Sequence, residues 1–523
     1  MHINSRKIQV NKSIYENRII KLIVIFVLIL SIFLRFVNLN QKFYWVDEVH
    51  TAVRMSGYTK AEITEQLFTN KFIQVSSLEK YKFPNAEKNL GDAFAALVKH
   101  PEHPPLYYIL VRLWTQLGQQ WFGESVALIR SLSVLISLLT FPAVYWLSLE
   151  LFNSSLVGSI AMAIVAVSPL HFLYAQEARQ YSLWTAIILL SSLALIRAIR
   201  LNNRISWSFY AFSLCIGLYS HLLFTLTLVS HGIYLLIIDK FNWSKKLIAY
   251  SQASLAAVIA FTPWLVVMFI NLSQISSTIT KVETRTPLSS LIGKWFRNIN
   301  YVFFNVDLGA ANLILVIFVI YSLYILCSHT PQQVWLLLLT LIGFTALSLM
   351  IPDLLLGGVR SVRIRYLIPC YLGIQLTVSY LCASQIASRQ KWRRRVGKLS
   401  LLLIITAGII ASIVNSQAEA GWSKSDKAQD YPKIFQAINQ SANPLIISDA
   451  SSTYVLTLSY GIKNQAWLQL KREPEISQNT ENFSNIFLFN PSEPLRQVYG
   501  EQEDISLEAV VEKKNLQLWK ILK

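Results

Sequence analysis

The chain has 523 residues, of which 53% are hydrophobic and only 15% are charged. Because soluble domains carry about 25% charged residues, this composition indicates an integral membrane protein and excludes an ordinary soluble enzyme. The net charge of +18 does not favour nucleic acid as a partner, since the basic residues lie mostly in short loops between apolar runs. The four cysteines fall inside apolar stretches, so they predict neither a disulfide framework nor a metal cluster.

The start of the chain sets the predicted orientation. Residues 1–18 carry four basic residues and are predicted to stay in the cytoplasm. The apolar run 19–37 is long enough to span the bilayer and lacks a small-residue cleavage pattern, so it predicts a retained first span. Residues 38–123 are too polar to cross the bilayer, yet rich in aromatic residues, and are predicted to form a long external loop.

Two adjacent carboxylates, Asp47 and Glu48, follow the first span closely and stand among aromatic residues. Acidic groups near hydrocarbon are costly, which favours a functional role over a loop that is merely polar. A carboxylate here could take a proton from an acceptor during group transfer. It could equally bind a hard divalent cation that neutralises a leaving phosphate.

A second polar motif, Glu102-His103, precedes two prolines that hold it rigidly. The pair could bind a metal ion or a phosphate, and the alternative is a proline-stiffened turn with solvated side chains. The prolines open an amphipathic stretch, 106–117, which predicts a helix lying on the outer membrane surface because it is short and polar on one side.

Ten further apolar runs bring the number of predicted spans to about eleven. They lie at about 125–148, 155–172, 182–199, 206–220, 221–239, 247–270, 310–328, 333–351, 366–387 and 399–415. Under this count the basic connections near 197–204, 240–246 and 389–398 all fall on the cytoplasmic side, as the distribution of positive charge in membrane proteins requires.

The loops predicted to be external also carry arginine, against the orientation bias. Binding of an anionic ligand such as a phosphate would explain these arginines. The alternative is that arginine and aromatic side chains only anchor the spans at the interface, and an interfacial histidine is more often structural than a ligand. The candidate binding residues in these loops are Arg179, Tyr181, His221, Arg363, Arg365 and Tyr366.

From residue 416 to residue 523 the chain is polar, and short apolar strands alternate with helical patterns. The predicted strands lie at 444–448, 466–470 and 485–489, and the predicted helices at about 431–440, 450–461 and 492–502. This alternation predicts a small α/β domain on the external face.

The order of these motifs resembles the C-type (GT-C) glycosyltransferases of the protein mannosyltransferase and aminoarabinose transferase superfamily. The resemblance covers residues 19–415, the membrane part of the chain. The matching segments are Asp47-Glu48, Glu102-His103-Pro104-Pro105-Leu106-Tyr107-Tyr108, Gln176-Glu177-Ala178-Arg179-Gln180-Tyr181, Tyr219-Ser220-His221 and Arg365-Tyr366-Leu367-Ile368-Pro369.

This resemblance implies transfer of a sugar from a polyprenyl-phosphate-linked donor to a glycan, lipid or protein acceptor, with inversion, at the extracytoplasmic face of the cell membrane. The implied catalytic pair is Asp47, as the base, with Glu48, which would orient the acceptor or the loop. Arg365 would hold the lipid phosphate, and His221 would line the same cavity.

The same resemblance places Glu102 and His103 near the donor phosphate. His103 stands where aminoarabinose transferases tend to carry lysine, which leaves open whether this position supplies a permanent positive charge. Some relatives need a divalent metal ion and others do not, so Asp47, Glu102 and His103 are also candidate metal ligands.

Two other functions compete with a glycosyltransferase. A transporter or flippase of a lipid-linked or amphipathic anion would need ionisable residues near the bilayer midplane, whereas here they gather at one predicted surface. A non-catalytic scaffold would bind a partner through its external domain and would not need the motif residues.

Overall fold

The computed structural model describes residues 14–273, 286–420, 430–513 and 516–522. Most of the predicted cytoplasmic N-terminus, 1–18, therefore lies outside the described residues.

Helices dominate the described residues. In the first half of the chain the α-helices are Ile14–Phe36 (α1), Val46–Ser56 (α2), Lys60–Leu67 (α3), Leu90–Val98 (α4), Leu106–Phe122 (α5), Val126–Leu138 (α6), Thr140–Phe152 (α7), Ser155–Val167 (α8), Pro169–Ala175 (α9), Tyr181–Leu201 (α10), Arg204–Ser220 (α11), Phe224–Ile238 (α12) and Lys245–Ile270 (α13). In the second half they are Leu288–Phe303 (α14), Asn312–His329 (α15), Gln332–Leu356 (α16), Ile368–Ile386 (α17), Lys391–Gln417 (α18), Tyr431–Asn439 (α19), Ser452–Ser459 (α20) and Glu493–Gly500 (α21). Short 3-10 helices lie at Val75–Tyr81, Gly309–Ala311 and Ile364–Leu367.

All eleven predicted runs are helical, and the predicted class, a helical multi-pass membrane protein, is confirmed. By length and composition, eight helical segments of the described chain can cross a membrane, or nine if α8 and α9 form one broken span bent by 59°. The remaining two runs fold as α11 and α12, with 17 and 15 residues, which is short for a span. The bend between α8 and α9 lies at Pro169, whose ring cannot continue a helix.

Buried polar groups and small residues join the spans. The guanidinium of Arg35 on α1 donates to the carbonyl of Ala166 on α8 at 2.9 Å, and the Ser31 hydroxyl donates to the same carbonyl at 2.6 Å. On α18, a Cβ at Gly408 would lie 2.6 Å from the carbonyl oxygen of Val167, so only glycine permits this approach. Close backbone contact and interhelical hydrogen bonds are the forces that associate helices in lipid.

The amphipathic helix predicted at 106–117 is present as α5 and extends to Phe122. Leu117 and Trp121, one turn apart, are 62% and 73% exposed, whereas Tyr108 and Val111 on the other side are buried. A helix with one exposed apolar face is the form that an interfacial helix takes.

The predicted strands of the C-terminal region belong to a six-stranded mixed sheet, so a small C-terminal sheet domain is confirmed. Its strands are Phe72–Gln74 (β1), Pro444–Ser448 (β2), Trp467–Leu470 (β3), Asn485–Phe489 (β4), Ser506–Lys513 (β5) and Leu516–Leu522 (β6), in the order β1-β3-β2-β4-β6-β5. β2 is parallel to β3 and β4, and the other pairings are antiparallel. The sequence did not predict β1, β5 or β6.

The loop 38–123 contributes β1 to this sheet, which ties it to the C-terminal region. Phe72 pairs with Gln469 in the register of β1 and β3. The ring of Tyr44 packs 4.3 Å from that of Tyr460, centroid to centroid, and the Lys82 ammonium donates to the Ser459 carbonyl at 3.0 Å. The two regions therefore form one packed unit beside α2.

Candidate active site

The helix α2 presents the two adjacent carboxylates in its first turn. Trp45 is the N-cap, and its backbone N–H donates to the Glu48 carboxylate at 3.4 Å. Acidic residues are favoured there because the first backbone N–H groups of a helix lack partners and carry partial positive charge. The local sequence thus explains why Asp47 and Glu48 begin a helix at this point.

Asp47 meets residues from two other motifs. The Arg365 guanidinium donates to the Asp47 carboxylate with an Nη1–Oδ2 distance of 2.7 Å, and their side chains are 23% and 24% exposed. Arg179 donates from Nη1 to the backbone carbonyl of Asp47 at 3.0 Å. The structure therefore places one acid and two arginines in a partly open position.

Aromatic rings hold the two guanidinium groups. Each of Arg179 and Arg365 lies 5.9 Å from the ring centroid of Tyr181, and Arg365 also lies 5.5 Å from that of Tyr366. The Nε atoms of both arginines are buried without a hydrogen-bond partner among the described residues. Buried N–H groups without partners are costly, and an anionic ligand would supply acceptors for them.

A network of hydrogen bonds anchors the turn that carries Arg365. The backbone N–H and the hydroxyl of Ser361 donate to the Asp353 carboxylate of α16 at 2.6 and 2.7 Å. The Asn298 amide of α14 donates to the carbonyl of Val362 at 2.8 Å. These contacts fix the chain directly before the Ile364–Leu367 turn.

Arg363 was predicted in the same binding set as Arg365. Its side chain is exposed, and its backbone carbonyl accepts from the Tyr366 N–H at 2.9 Å. The segment forms a 3-10 turn rather than a strand, so alternate residues need not share a face. Binding by Arg363 stays a prediction.

Glu48 lies in a different environment from Asp47. It is 1% exposed, and its two oxygens accept from Nε and Nη2 of Arg130 at 2.8 and 2.7 Å. The Ala178 N–H also donates to Glu48, at 2.8 Å. Because this carboxylate is buried and already hydrogen-bonded, its geometry favours the role of orienting the loop over contact with an acceptor.

Arg130, which the sequence analysis missed, organises this region. Besides binding Glu48, it donates to the carbonyls of Leu39 and Lys42 at 2.6 and 2.9 Å, so it holds the chain that leads into α2. The available signal was a single arginine inside an otherwise apolar run, because such a charge is retained only with a partner.

The Glu102-His103 motif forms a second cluster with residues of α2 and of the preceding turn. Oε1 of Glu102 lies 3.9 Å from Nη2 of Arg54, 3.7 Å from Nδ1 of His100 and 3.9 Å from Nε2 of His103. Burial and the nearby Arg54 and Arg179 lower the pKa of His103 well below its ordinary value, so its ring is neutral at pH 7. The permanent positive charge in this cluster is therefore Arg54, another residue missed in the sequence.

His221 lies beside the aromatic residues of the first cluster. Its ring stacks on that of Trp184 with centroids 4.2 Å apart and an interplanar angle of 10°, and lies 6.0 Å from Tyr181. Its Nδ1 accepts from the Leu223 N–H at 3.1 Å, which fixes the ring orientation. His221 thus borders the site through Tyr181.

The candidate metal ligands do not form one cluster. No group of three or more His, Cys, Asp or Glu residues able to hold a metal ion occurs in the described ranges. Asp47 contacts Arg365, and Glu102 lies near Arg54 and two histidines. Metal dependence stays a prediction.

This fold and site define a multi-pass membrane protein with an acid–arginine cluster beside its first loop. Residues 102–267 match the sequence model of the family described as dolichyl-phosphate-mannose-protein mannosyltransferase. Among curated protein sequences, none matches this chain.

Solved structures match over nearly the whole chain. One is ArnT from Cupriavidus metallidurans bound to undecaprenyl phosphate, with 10% identity and a TM-score of 0.54 over 97% of this chain and 98% of ArnT. Apo ArnT from the same organism gives 10% identity and a TM-score of 0.53 over 95% and 97%. An Archaeoglobus fulgidus oligosaccharyltransferase gives 11% identity and a TM-score of 0.43 over 85% and 62%. The family match bears out the predicted resemblance to the protein mannosyltransferase and aminoarabinose transferase superfamily, and the two ArnT structures confirm the predicted fold.

Proposed function

We propose that the protein transfers a sugar from a polyprenyl-phosphate-linked donor to a glycan, lipid or protein acceptor. The observation that carries this proposal is the contact between Asp47 and Arg365, with Arg179 beside them. It combines an acid suited to general-base chemistry with cations suited to a phosphate. The structural relative ArnT, described as bound to undecaprenyl phosphate, supports a lipid phosphate as the ligand of this fold.

In the proposed reaction, Asp47 accepts the proton of the acceptor hydroxyl or amine. The acceptor atom bonds to the anomeric carbon on the face opposite the phosphate, and the bond from that carbon to the phosphate oxygen breaks. The electron pair leaves with the polyprenyl phosphate, whose charge Arg365 and Arg179 stabilise. Attack from the opposite face gives inversion.

The ion pair suggests how donor binding prepares the base. In the structure Arg365 donates to Asp47. A donor phosphate competes for the same guanidinium, and bidentate binding of phosphate by arginine is strong. Once Arg365 turns to the phosphate, the Asp47 oxygen is available for the acceptor proton.

Orientation and location belong to the same proposal. We place the N-terminus in the cytoplasm, and the site with the C-terminal domain on the extracytoplasmic face of the cell membrane. The basic connections near 197–204, 240–246 and 389–398 support this orientation, because cytoplasmic loops carry the excess of lysine and arginine.

The test is mass spectrometry of polyprenyl-phosphate sugars and glycans in cells that lack the protein. We expect one donor to accumulate and one glycosylated product to disappear, with wild type restoring both and Asp47→Asn restoring neither. Glu503→Gln, a change at an exposed acid of the C-terminal region, is the matched control and should restore both. Full rescue by Asp47→Asn would overturn the assignment, and flux of a lipid-linked anion without any product would favour the transporter.

A further inference from the structure

A cleft separate from the Asp47–Arg365 contact opens between the loop 38–123 and the C-terminal region. Its volume is about 800 Å³, within the size range of small-molecule sites. Its walls are helix α3, the end of α4 and the chain that follows β3. Lining residues that carry or can carry charge are Lys60, Glu65, Lys99, His100 and Arg472.

Positive charge predominates in this cleft. Of its lining residues, three are permanent cations and Glu65 is the carboxylate. Within the described chain, Lys60, Lys99 and Arg472 form no ion pair. Arg472 instead donates from Nε to the carbonyl of Phe68 at 3.0 Å, which holds its guanidinium at the cleft wall without neutralising it.

A second cavity lies between this cleft and the helix that carries Asp47. This smaller cavity of about 40 Å³ shares Lys60 and His100 with the cleft and is also lined by His50 and Arg54 of α2. His50 lies one helical turn after Asp47. Arg54 is 4% exposed, and its Nε and Nη1 have no hydrogen-bond partner among the described residues.

We infer that this cleft binds the acceptor and that the acceptor is an anion, carrying a phosphate or carboxylate near its reacting group. This inference rests on the proposed function. The cations Lys60, Lys99 and Arg472 hold the negative group, and the acceptor's nucleophile extends past His100 and His50 toward Asp47. Arg54 lines the smaller cavity, and its two buried donors without a partner among the described residues are available to the same anion.

Pyridoxal 5′-phosphate tests the site without a known acceptor, because its aldehyde forms an imine with a lysine beside a bound phosphate. The full-length protein in detergent is treated with it, the imine is reduced with borohydride, and labelled lysines are identified by peptide mass spectrometry. We expect Lys60 and Lys99 to be labelled before Lys433, an exposed lysine outside the cleft. Arg472→Gln should lower cleft labelling about 3-fold, the size of one exposed charge interaction, and leave Lys433 unchanged.

Competition identifies the anion. Protection of Lys60 and Lys99 by pyrophosphate alone supports a phosphate, and protection by both pyrophosphate and citrate supports an anion of either kind. Labelling no faster than at Lys433, or no protection by either anion, overturns the inference. Lys99→Gln keeps the test valid if Arg472→Gln does not fold, and should lower labelling of Lys60. Since no sugar transfer is measured, Asp47→Asn should be labelled like wild type whether or not the proposed function holds.

Discussion

Arg365 donates a 2.7 Å hydrogen bond to Asp47 although 318 positions separate them in the chain. The contact joins the first loop to the start of α17, so it brings the first and last motifs of the membrane part together. In the proposed reaction each of the two residues has two partners in succession. They first contact each other, and then Arg365 contacts the donor phosphate while Asp47 contacts the acceptor.

This exchange of partners predicts opposite effects for two variants on lipid-phosphate binding. Arg365→Gln should weaken binding of undecaprenyl phosphate by about 10- to 100-fold, since it removes a charge-assisted contact. Asp47→Asn should bind the lipid at least as tightly as wild type, because Arg365 no longer has to break an ion pair with the Asp47 carboxylate before it binds the phosphate. Native mass spectrometry with undecaprenyl phosphate measures both affinities. Arg496→Gln, on α21 of the C-terminal region, is the control, and weaker binding by Asp47→Asn would contradict the exchange.

The buried pair of Glu48 and Arg130 should govern stability more than chemistry. Glu48→Gln and Arg130→Met should each destabilise the protein by about 3 to 5 kcal/mol, because each leaves a buried charge without its partner. The double variant should lose less than the sum of the two, which is the signature of a direct interaction. Thermal unfolding in detergent measures all three. Additive losses would show that the two side chains are not energetically coupled.

His50 predicts a pH dependence of stability. Burial, and then the nearby Arg54, lower its pKa from 6.5 to about 3. Below pH 6.5 the unfolded chain therefore binds a proton at His50 while the folded chain does not. The contribution of the neutral His50 to the free energy of unfolding is complete above pH 6.5 and is lost as the pH falls toward 3. Between pH 7 and pH 5 the loss is at most about 2 kcal/mol.

Thermal unfolding of wild type and His50→Gln across that pH range tests this contribution. The melting temperature of the variant should fall less steeply on acidification than that of wild type. His329→Gln, at an exposed histidine, is the matched control for the substitution itself. Parallel curves for wild type and His50→Gln would show that His50 titrates normally.

The register of β1 against β3 can be tested by crosslinking. Phe72 and Gln469 are direct partners across the antiparallel pair, so cysteines at these two positions should form a disulfide readily under mild oxidation. Cysteines at Phe72 and Leu468 should not, because neighbouring residues of a strand point to opposite faces. The disulfide is detected by cleaving the chain between the two cysteines with a protease and measuring the masses of the fragments without a reducing agent. A link in the second pair alone would show a register shifted by one residue.

Local patterns predicted the helices and most of the site's members, because hydrophobic runs and clustered polar residues are visible in the sequence. The structure brings Asp47, Arg179, Tyr181 and Arg365 together, four residues named from the motifs. Their individual contacts were not predictable, since pairing depends on how spans pack.

The residues that the sequence did not predict all have partners that are distant in the chain. Arg130 lies in a predicted apolar span and Arg54 in the predicted external loop, and the partners of both are distant in sequence. β1 was missed because its three residues make a strand only when β3 is beside them.

Sharing of the sheet between the loop and the C-terminal region also constrains biosynthesis. The Gln469 amide donates to the Asn70 carbonyl across 399 positions, so the ribosome has finished every span before this contact can form. The loop 38–123 is therefore without its partner strand while the rest of the chain is inserted. Contacts between residues so far apart in the chain also form slowly. A nascent chain that stops before β3 leaves β1 without its partner strand, so the unpaired edge of Phe72–Gln74 is exposed until synthesis of the C-terminal region is complete.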